Sequence, residues 1–345
     1  MNEERGHNPQ ALMSEEEIIR LAQSLAGESS DELFVGIGDD AAVLNLAGSE
    51  FCVTTDLMVE GVHFDMSYTS PQDLGFKAMA ANLSDLAAMG ALPRWGFLSL
   101  GLPPRPQQRL VESIFEGVME MCRRYELILA GGDTVRAPQL LINLCLVGAL
   151  EKSEPVLRSD ARPGDAVCVT GVLGSAAAGL AWLGAGGARD NEQAAWAVEA
   201  HLRPEPRVSA GRVLAQSGRV HAMMDLSDGL ATDLARLCQA SQVGAQVEEE
   251  RLPLAGEAAA LAEKIGADAL EWALSGGEDF ELLFTCAPGD VELLAELVAD
   301  SQPGLGISQV GEINQGRGVH LRWADGSEQE ITFMGFDHFK EGPSI

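Results

Sequence analysis

The sequence is poor in positive charge and has no long apolar run. Its 345 residues include 23 Lys and Arg against 52 Asp and Glu, which gives a formal net charge of −29. Such a field repels nucleic acids and anionic membranes, so we expect neither as a partner. No apolar stretch approaches the roughly 20 residues that cross a bilayer, and residues 1–10 lack the apolar core of a secretory signal. The sequence therefore predicts a cytoplasmic protein.

The familiar signatures of several enzyme classes are also missing. There is no P-loop G-x-x-x-x-G-K-S/T, no dinucleotide fingerprint G-x-G-x-x-G and no protein-kinase pair H-R-D and D-F-G. The six histidines include no H-E-x-x-H, which argues against a zinc hydrolase, and G-x-S-x-G is absent. The six cysteines stand singly without a C-x-x-C pair, so we expect buried, reduced thiols rather than disulfides.

What the sequence does contain is a set of six short segments with Asp or Glu beside Gly, Ser or Thr. Most follow an apolar run typical of a β-strand, and we interpret them as loops. They are residues 36–40 (Gly-Ile-Gly-Asp-Asp), 54–56 (Thr-Thr-Asp), 82–85 (Asn-Leu-Ser-Asp), 131–134 (Gly-Gly-Asp-Thr), 225–229 (Asp-Leu-Ser-Asp-Gly) and 275–279 (Ser-Gly-Gly-Glu-Asp). Carboxylate oxygens are preferred ligands of Mg²⁺, which usually reaches proteins together with substrate phosphates. The set predicts a protein that gathers Mg²⁺ around a polyphosphate.

Each segment taken singly is more often a plain turn, because Asp and Asn beside Gly favour turns. Asp225 and Asp228 could simply cap a helix over residues 230–237. The glycine turn at residues 171–174 could hold a phosphate at a helix N-terminus or make a tight connection. His63 could be a packed histidine or a ligand contact, and Arg158 a salt bridge or a phosphate contact. The joint occurrence of the six segments is what favours a site.

The alternation of apolar strands and amphipathic helices predicts an α/β (α+β) fold with two domains. We expect strands at residues 51–55, 127–130, 140–150, 166–170, 222–224 and 280–285, and helices after Pro71, over residues 107–125 and from Ser175. A capping box at residues 14–17 predicts a further helix. On the helix after Pro71, Lys77 and Asp85 share one face, so Asp85 can project toward the acidic segments. The polar stretch at residues 151–165 marks the domain boundary.

Longer strings around these segments carry a family resemblance. They are residues 36–43 (Gly-Ile-Gly-Asp-Asp-Ala-Ala-Val), 54–64 (Thr-Thr-Asp-Leu-Met-Val-Glu-Gly-Val-His-Phe), 82–91 (Asn-Leu-Ser-Asp-Leu-Ala-Ala-Met-Gly-Ala), 131–136 (Gly-Gly-Asp-Thr-Val-Arg), 225–230 (Asp-Leu-Ser-Asp-Gly-Leu), 275–282 (Ser-Gly-Gly-Glu-Asp-Phe-Glu-Leu) and 335–339 (Gly-Phe-Asp-His-Phe). In this order, from about residue 14 to about residue 340, the chain resembles the thiamine-monophosphate kinase family. The wider superfamily includes aminoimidazole ribonucleotide synthetase, selenophosphate synthetase and a hydrogenase-maturation ATPase.

The resemblance implies a fold, a reaction and an assembly. It implies an ATP- and Mg²⁺-binding domain over residues 14–150 and an α+β domain over residues 151–345, after residues 1–13, whose polar sequence itself predicts a disordered extension. The first domain forms a β-barrel across the interface of a homodimer. ATP phosphorylates thiamine monophosphate to thiamine diphosphate, the final step in making that cofactor, by direct in-line transfer with several Mg²⁺ ions.

The resemblance also implies site residues, position by position. Metal ligands are implied at Asp40, Thr54, Thr55, Asp56, Asp85, Asp133, Asp225 and Asp228. Nucleotide contacts are implied at Phe115 (which also fits its helix core), Gly132, Asp133, Arg158 and Ser227. Substrate contacts are implied at His63, Glu278 and Phe336, where an aromatic ring can cover the cationic thiazolium. No acid or base is assigned, because an ionised acceptor phosphate needs positioning and charge cancellation rather than deprotonation. Asp39 and Asp279 are expected to have structural roles.

Two alternatives remain at this point. A sibling with another acceptor is disfavoured. Selenophosphate synthetase would need a reactive cysteine near the N-terminal glycine region, and no cysteine precedes Cys52. The hydrogenase-maturation relative ends in a functional cysteine, whereas this chain ends in Pro343-Ser344-Ile345. Aminoimidazole ribonucleotide synthetase lacks the combination of Ser-Gly-Gly-Glu-Asp and Gly-Phe-Asp-His-Phe. The second alternative is a non-catalytic acidic protein that binds divalent cations, although no EF-hand loop is present.

Overall fold

The computed structural model describes residues 19–20, 23, 33–46, 48–150 and 154–332, in which two β-sheets carry most of the helices. The strands are β1 (Leu33–Val35), β2 (Ala42–Leu46), β3 (Ser49–Val59), β4 (Leu92–Leu102), β5 (Ile128–Arg136), β6 (Leu141–Ala149), β7 (Ala166–Thr170), β8 (Val220–Asp225), β9 (Gly244–Glu248), β10 (Leu282–Cys286), β11 (Ile307–Asn314), β12 (Gly318–Arg322) and β13 (Glu328–Glu330). The helices after residue 70 are α1 (Pro71–Ala88), α2 (Gln108–Arg124), α3 (Ser175–Gly184), α4 (Ala195–Leu202), α5 (Val208–Ser217), α6 (Leu230–Ser241), α7 (Ala258–Ile265), α8 (Ala269–Ser275) and α9 (Val291–Ser301). We call residues 33–150 the N-terminal part and residues 154–332 the C-terminal part.

The N-terminal part is built on a six-stranded sheet in the order β1-β2-β3-β6-β4-β5. β3 pairs antiparallel with β6 along most of its length, from Phe51 opposite Ala149 to Val59 opposite Leu141. β4 and β5 run parallel at the far edge. α1 lies against β3 and β6 on one face of this sheet, and α2 packs on α1.

Helix α1 is the central element of the molecule. It begins at Pro71, where the fixed φ of proline suits the first helical position, and the Ser70 side chain accepts a hydrogen bond from the Asp73 N–H. Of its 18 residues 15 are buried, because it contacts the first sheet and α2 on one side and α5 and β8 of the C-terminal part on the other. A Cβ on Gly75 would lie 2.1 Å from the Ile114 backbone oxygen, so glycine is what permits the close approach of α1 to α2.

The C-terminal part is built on a seven-stranded sheet in the order β13-β12-β9-β11-β7-β10-β8. Its neighbours are antiparallel except β12 and β9, which are parallel. β7 and β10 are buried along their whole length. β8 is one of the two edge strands and ends at Asp225, so this aspartate emerges where the second sheet meets α1.

The arrangement, with its two sheets, confirms the predicted α/β (α+β) class, and several predicted elements have the expected bounds. β7 covers residues 166–170 as predicted, α1 and α3 begin at Pro71 and Ser175, and the helix predicted over residues 107–125 is α2. The capping box at residues 14–17 and the extension at residues 1–13 lie outside the described residues.

The interpretation of all six acidic segments as loops is wrong for three of them. Residues 54–56 lie inside β3, residues 131–134 inside β5 and residues 82–85 inside α1. β3 does not end at Asp56, because β6 continues to pair with it as far as Val59. The side chains of these segments are therefore held by regular strands and a helix, which fixes their directions.

The face of the first sheet opposite α1 exposes a set of large apolar side chains. Strand alternation places Leu57, Trp95 and Phe97 on that face, where they are 51%, 40% and 42% exposed. Ile128 and Val135 of β5 are 63% and 54% exposed. β1 and β5 are the two ends of the sheet order, so the described residues of one chain do not close the barrel that the family resemblance implies.

Two composition-based expectations can be compared with the structure. All six cysteines are free, and five of them are buried, which confirms the prediction of buried thiols without disulfides. Among the described residues, no helix combines the length and the apolar character needed to cross a membrane.

Candidate functional site

A cavity of about 1020 Å³ lies between the N-terminal and C-terminal parts. Its walls come from β3, the second half of α1 and residues 36–42 on one side, and from the end of β8, residues 227–228 and residues 275–280 on the other. Most of the predicted site residues line it: Asp40, Thr54, Thr55, Asp56, His63, Asp85, Arg158, Asp225, Ser227, Asp228 and Glu278. The structure therefore brings together residues from five of the six acidic segments.

Three aspartates from three separate elements converge in this cavity. Asp40 precedes β2, Asp85 lies in the last turn of α1 and Asp225 ends β8. One carboxylate oxygen of each lies within 4.8 Å of the other two. Asp40 Oδ2 is buried and has no hydrogen-bond partner among the described residues. A buried carboxylate oxygen without a partner, beside two further carboxylates, suits a hard divalent cation such as Mg²⁺.

The electrostatics of the cluster point the same way. Burial raises the pKa of Asp85 well above its usual range, and the nearby charges of Asp56, Asp225 and Asp40 raise it further. Burial likewise raises the pKa of Asp225 to about 6. The pKa of Asp56 is also raised by burial, with a further contribution from Asp228. Carboxylates that repel one another in a buried site must bind either protons or a cation, and a perturbed set in a cavity is typical of functional sites.

Hydroxyl groups orient two of these carboxylates. Thr54 Oγ1 donates to Asp85 Oδ2 at 2.5 Å, and Ser84 Oγ donates to Asp225 Oδ2 at 2.7 Å. Thr54 and Asp56 point toward α1, because alternate residues of β3 share a face. Thr55 points to the opposite face, where its Oγ1 donates to the Leu144 carbonyl at 3.0 Å. Of the two predicted threonine ligands, Thr54 therefore contacts the cluster directly and Thr55 does not.

Arg158 places a positive charge beside the acidic residues of the cavity. Its Nη2 donates to Asp40 Oδ1 at 2.7 Å, and its Nε lies 3.3 Å from Asp39 Oδ1. Asp39 Oδ1 also accepts from the Asp40 backbone N–H. Asp39 thus orients Arg158 and the chain at Asp40, in line with the structural role expected of it.

A buried aspartate that the sequence analysis did not single out holds the Ser227–Asp228 loop. The Asp233 side chain is 0% exposed, and its Oδ2 accepts from the backbone N–H groups of Ser227 at 3.1 Å and Asp228 at 2.9 Å. Arg236 forms ion pairs with both Asp228 and Asp233. The alternative that Asp225 or Asp228 merely caps α6 is not supported, because no side-chain cap hydrogen bond is present there and the acceptor for the loop N–H groups is Asp233, inside the first turn.

Asp279 also has the structural role expected of it. Its carboxylate accepts from the backbone N–H of Gly174 at 2.6 Å and of Ala176 at 3.0 Å. The N-terminus of α3 therefore already holds a carboxylate of the same chain. This favours the tight connection over the phosphate site as the role of residues 171–174.

The other end of the cavity is formed around Glu278. Its Oε2 accepts from Lys77 Nζ at 2.7 Å and lies 3.3 Å from His201 Nδ1. Burial opposes ionisation of this carboxyl, but Lys77 and His201 hold its pKa at about 2. Glu278 is thus a fixed anion at neutral pH, in contrast to the raised pKa values in the Asp40–Asp85–Asp225 cluster.

His63 has its tautomer set by the backbone. The Val59 N–H donates to His63 Nδ1 at 3.1 Å, so in the neutral imidazole the proton is on Nε2. His63 lines the cavity, and a ring N–H is a suitable donor to a phosphate oxygen.

Four predicted site residues are not brought into this cavity by the described part of the chain. Gly132 and Asp133 lie in β5, three strands away from β3 in the sheet order, which corresponds to about 14 Å at the usual strand spacing. Asp133 stands opposite Ser99, which stands opposite Asn143, and this row is on the face away from α1. Phe115 is 37% exposed on α2, and Phe336 lies outside the described residues.

The presence of glycine at position 132 has a local steric explanation. Its φ is +155°, and a Cβ there would lie 1.7 Å from the Leu98 backbone oxygen. Only glycine fits this position against β4, whether or not a nucleotide binds there.

Sequence reasoning missed Asp233, Arg236, Lys77 and His201. The only available signal was the position of Lys77 on the same face of α1 as Asp85. Nothing in the pattern indicated that Lys77 would meet a carboxylate 201 residues further along the chain.

The chain has extensive similarity to known proteins. Residues 38–150 match the AIR synthase related protein, N-terminal domain, and residues 162–324 match its C-terminal domain. The sequence is 38% identical over 311 residues to the thiamine-monophosphate kinase of Bacillus subtilis, with 89% of this chain and 94% of that protein covered. It is 38% identical over 308 residues to the Escherichia coli enzyme of the same name, with 88% and 92% covered. The solved structure of AaThiL complexed with AMPPCP and TMP superposes with a TM-score of 0.81 at 34% identity, covering 94% of this chain and 97% of that one.

Proposed function

This chain belongs to the thiamine-monophosphate kinase family of AIR synthase related proteins, and from that membership we propose that it uses ATP to phosphorylate thiamine monophosphate to thiamine diphosphate. The observation that carries the proposal is the buried Asp40–Asp85–Asp225 cluster, with its unpartnered Asp40 oxygen, in a cavity large enough for two ligands. The related AaThiL structure holds AMPPCP and TMP together. We also propose residues 14–150 and 151–345 as the two domains, and a cytoplasmic location.

The acidic cluster is proposed to bind several Mg²⁺ ions. Asp40, Asp56, Asp85, Asp225 and Asp228 would hold them, with Thr54 orienting Asp85. Held by these carboxylates, Mg²⁺ would supply the positive charge that neutralises the phosphates. Without such neutralisation, the aspartates would repel both ATP and the acceptor phosphate.

The protein side chains would act by positioning rather than by acid–base chemistry. An acceptor phosphate is already ionised at neutral pH, so in-line transfer needs two aligned anions and no strong base. His63 Nε2 and the Arg158 guanidinium are donors in the cavity that can orient phosphate oxygens. Ser227 is proposed to contact the nucleotide, and Glu278 to attract the cationic substrate ring.

A homodimer would account for Asp133. Within one chain this residue lies on the outer face of the first sheet, about 14 Å from β3. The exposed side chains of Leu57, Trp95, Phe97 and Ile128 give that face the apolar character of an interface. We propose that two copies pair through it, close a barrel between their sheets, and so bring Asp133 and Gly132 of one subunit to the cavity of its partner.

The direct test incubates the purified protein with Mg-ATP and thiamine monophosphate and separates the products by chromatography. We expect thiamine diphosphate and ADP in equal amounts, and no product when the metal is removed. Asp56→Asn should lower kcat by about two orders of magnitude or more with the fold intact. The matched control is Asp65→Asn, which removes a carboxylate from a turn outside the cavity, where it accepts from the Ser67 N–H.

A further inference from the structure

Lys77 is a charged side chain in the buried interior, where lysine is rarely found. It lies in the middle of α1 and is only 1% exposed. Its Nζ donates to Glu278 Oε2 at 2.7 Å, which joins the N-terminal part to the C-terminal part. A buried ammonium is tolerated only with a well-placed partner, and a buried ion pair is a poor source of net stability. The pair therefore calls for a reason other than stability.

The backbone at Glu278 is held in an unusual conformation. Glu278 has φ +68° and Phe280 has φ +49°, both in the left-handed region that non-glycine residues avoid at a cost. The N–H groups of these two residues donate to the Ser227 and Leu226 carbonyls at 2.8 and 2.9 Å. This strained segment is thus locked against the loop that carries the predicted nucleotide contact Ser227. Such strain is typical of sites where one side chain must point in one direction.

The contacts of Glu278 are confined to one of its two carboxylate oxygens. Lys77 Nζ and His201 Nδ1 both approach Oε2, at 2.7 and 3.3 Å. No hydrogen bond to Oε1 occurs within the described ranges of the chain, and the side chain is 26% exposed on the wall of the cavity. Oε1 is therefore the oxygen that remains for a ligand.

We propose that Lys77 and His201 are positioning residues, which fix Glu278 so that its Oε1 attracts the cationic ring of thiamine monophosphate by charge and accepts a hydrogen bond from an N–H group of that substrate. This inference rests on the proposed function. In this proposal, Lys77 and His201 contact no phosphate group of either substrate, and they act only through Glu278. Burial and the neighbouring charge of Lys77 lower the pKa of His201, so the imidazole is neutral and orients Glu278, while Lys77 supplies the charge.

The proposal predicts a split between the two substrates. Lys77→Met should raise KM for thiamine monophosphate about tenfold or more, while KM for ATP stays within about twofold, because one charged contact is worth at least that factor. Lys77→Gln retains a donor of similar reach and should recover part of the loss. His201→Gln should raise the same KM by a smaller factor. Arg124→Met is the matched control, because it removes another ion pair between the two parts, with Glu205, away from the cavity.

A double variant keeps the test decisive if Lys77→Met does not fold. Lys77→Met with Glu278→Gln removes both charges of the pair, and its KM for thiamine monophosphate should equal that of Glu278→Gln alone, since Lys77 acts only through Glu278. The inference would be overturned if the effects of the two substitutions on KM for thiamine monophosphate added up in the double variant. It would also be overturned if Lys77→Met raised both KM values equally, or if neither Lys77→Met nor Lys77→Gln changed KM. Failure of the unmodified protein to make thiamine diphosphate would instead overturn the proposed function.

Discussion

Mixed dimers made from two inactive variants test where Asp133 acts. Asp133 lies about 14 Å from β3 and on the outer face of its sheet, whereas a carboxylate ligand must approach Mg²⁺ to about 2 Å. No rotamer of Asp133 can span that distance within its own chain. If Asp133 is a metal ligand, it must serve the cavity of the partner subunit.

The expected activity follows from counting sites. Asp56→Asn disables the cavity of its own chain, and Asp133→Asn would disable the cavity of the partner. A dimer with one subunit of each kind then has one cavity with both carboxylates and one cavity with neither. Random co-assembly makes about half of the dimers mixed, so co-expressed variants should recover about a quarter of the unmodified activity.

The assay compares thiamine diphosphate formation by the co-expressed pair with each variant alone. Separate tags on the two chains allow the mixed dimers to be purified, and these should have about half of the unmodified activity per dimer. Mixed dimers as inactive as the parents would refute the reasoning and place Asp133 in its own subunit. Full activity of Asp133→Asn by itself would remove it from the site altogether.

Three further predictions concern stability and pH. In metal-free protein the melting temperature should rise as the pH falls from about 6 toward about 4, because burial raises the pKa of Asp225 to about 6 from 3.8. Protonation across that range progressively relieves up to about 3 kcal/mol of native-state cost. Saturating Mg²⁺ should abolish the trend in calorimetry. Gly75→Ala should cost about 2 kcal/mol or more, since its Cβ would lie 2.1 Å from the Ile114 oxygen, whereas Gly184→Ala, which has open space around it, should leave the melting temperature nearly unchanged. KM for thiamine monophosphate should show no acid limb from Glu278 between about pH 5 and 8, because its pKa of about 2 keeps it ionised in that range.

The elements of this fold were predictable where local signals are strong. Ser70 and Pro71 mark the start of α1, and the run Ala-Val-Cys-Val-Thr predicts β7 with the correct bounds. The limits of β3 were not predictable, because its extension to Val59 depends on pairing with β6, more than 80 residues away. The β-propensity of its residues indicates that a segment forms a strand, but the length of that strand depends on how far a partner strand pairs with it.

The candidate site was predictable as a list of residues but not as a geometry. The family strings supplied Asp40, Asp85 and Asp225, and the fold brings these three together. The same strings supplied Asp133, and only the sheet order shows that it lies three strands away from β3 in its own chain. Lys77 could not be assigned at all, since a lysine in an apolar helix acquires a role only when the chain places Glu278 beside it.

The central claim is that the acidic cavity joins two phosphates with the help of Mg²⁺. The most direct measurement supplies ATP labelled on the γ-phosphate, together with thiamine monophosphate and Mg²⁺, and follows the label by chromatography. The account predicts that the label appears in thiamine diphosphate, that no labelled protein accumulates, and that chelation of the metal or Asp56→Asn stops the transfer. Release of the label only as inorganic phosphate would contradict this account. Retention of the label in ATP when Mg²⁺ is present would also contradict it.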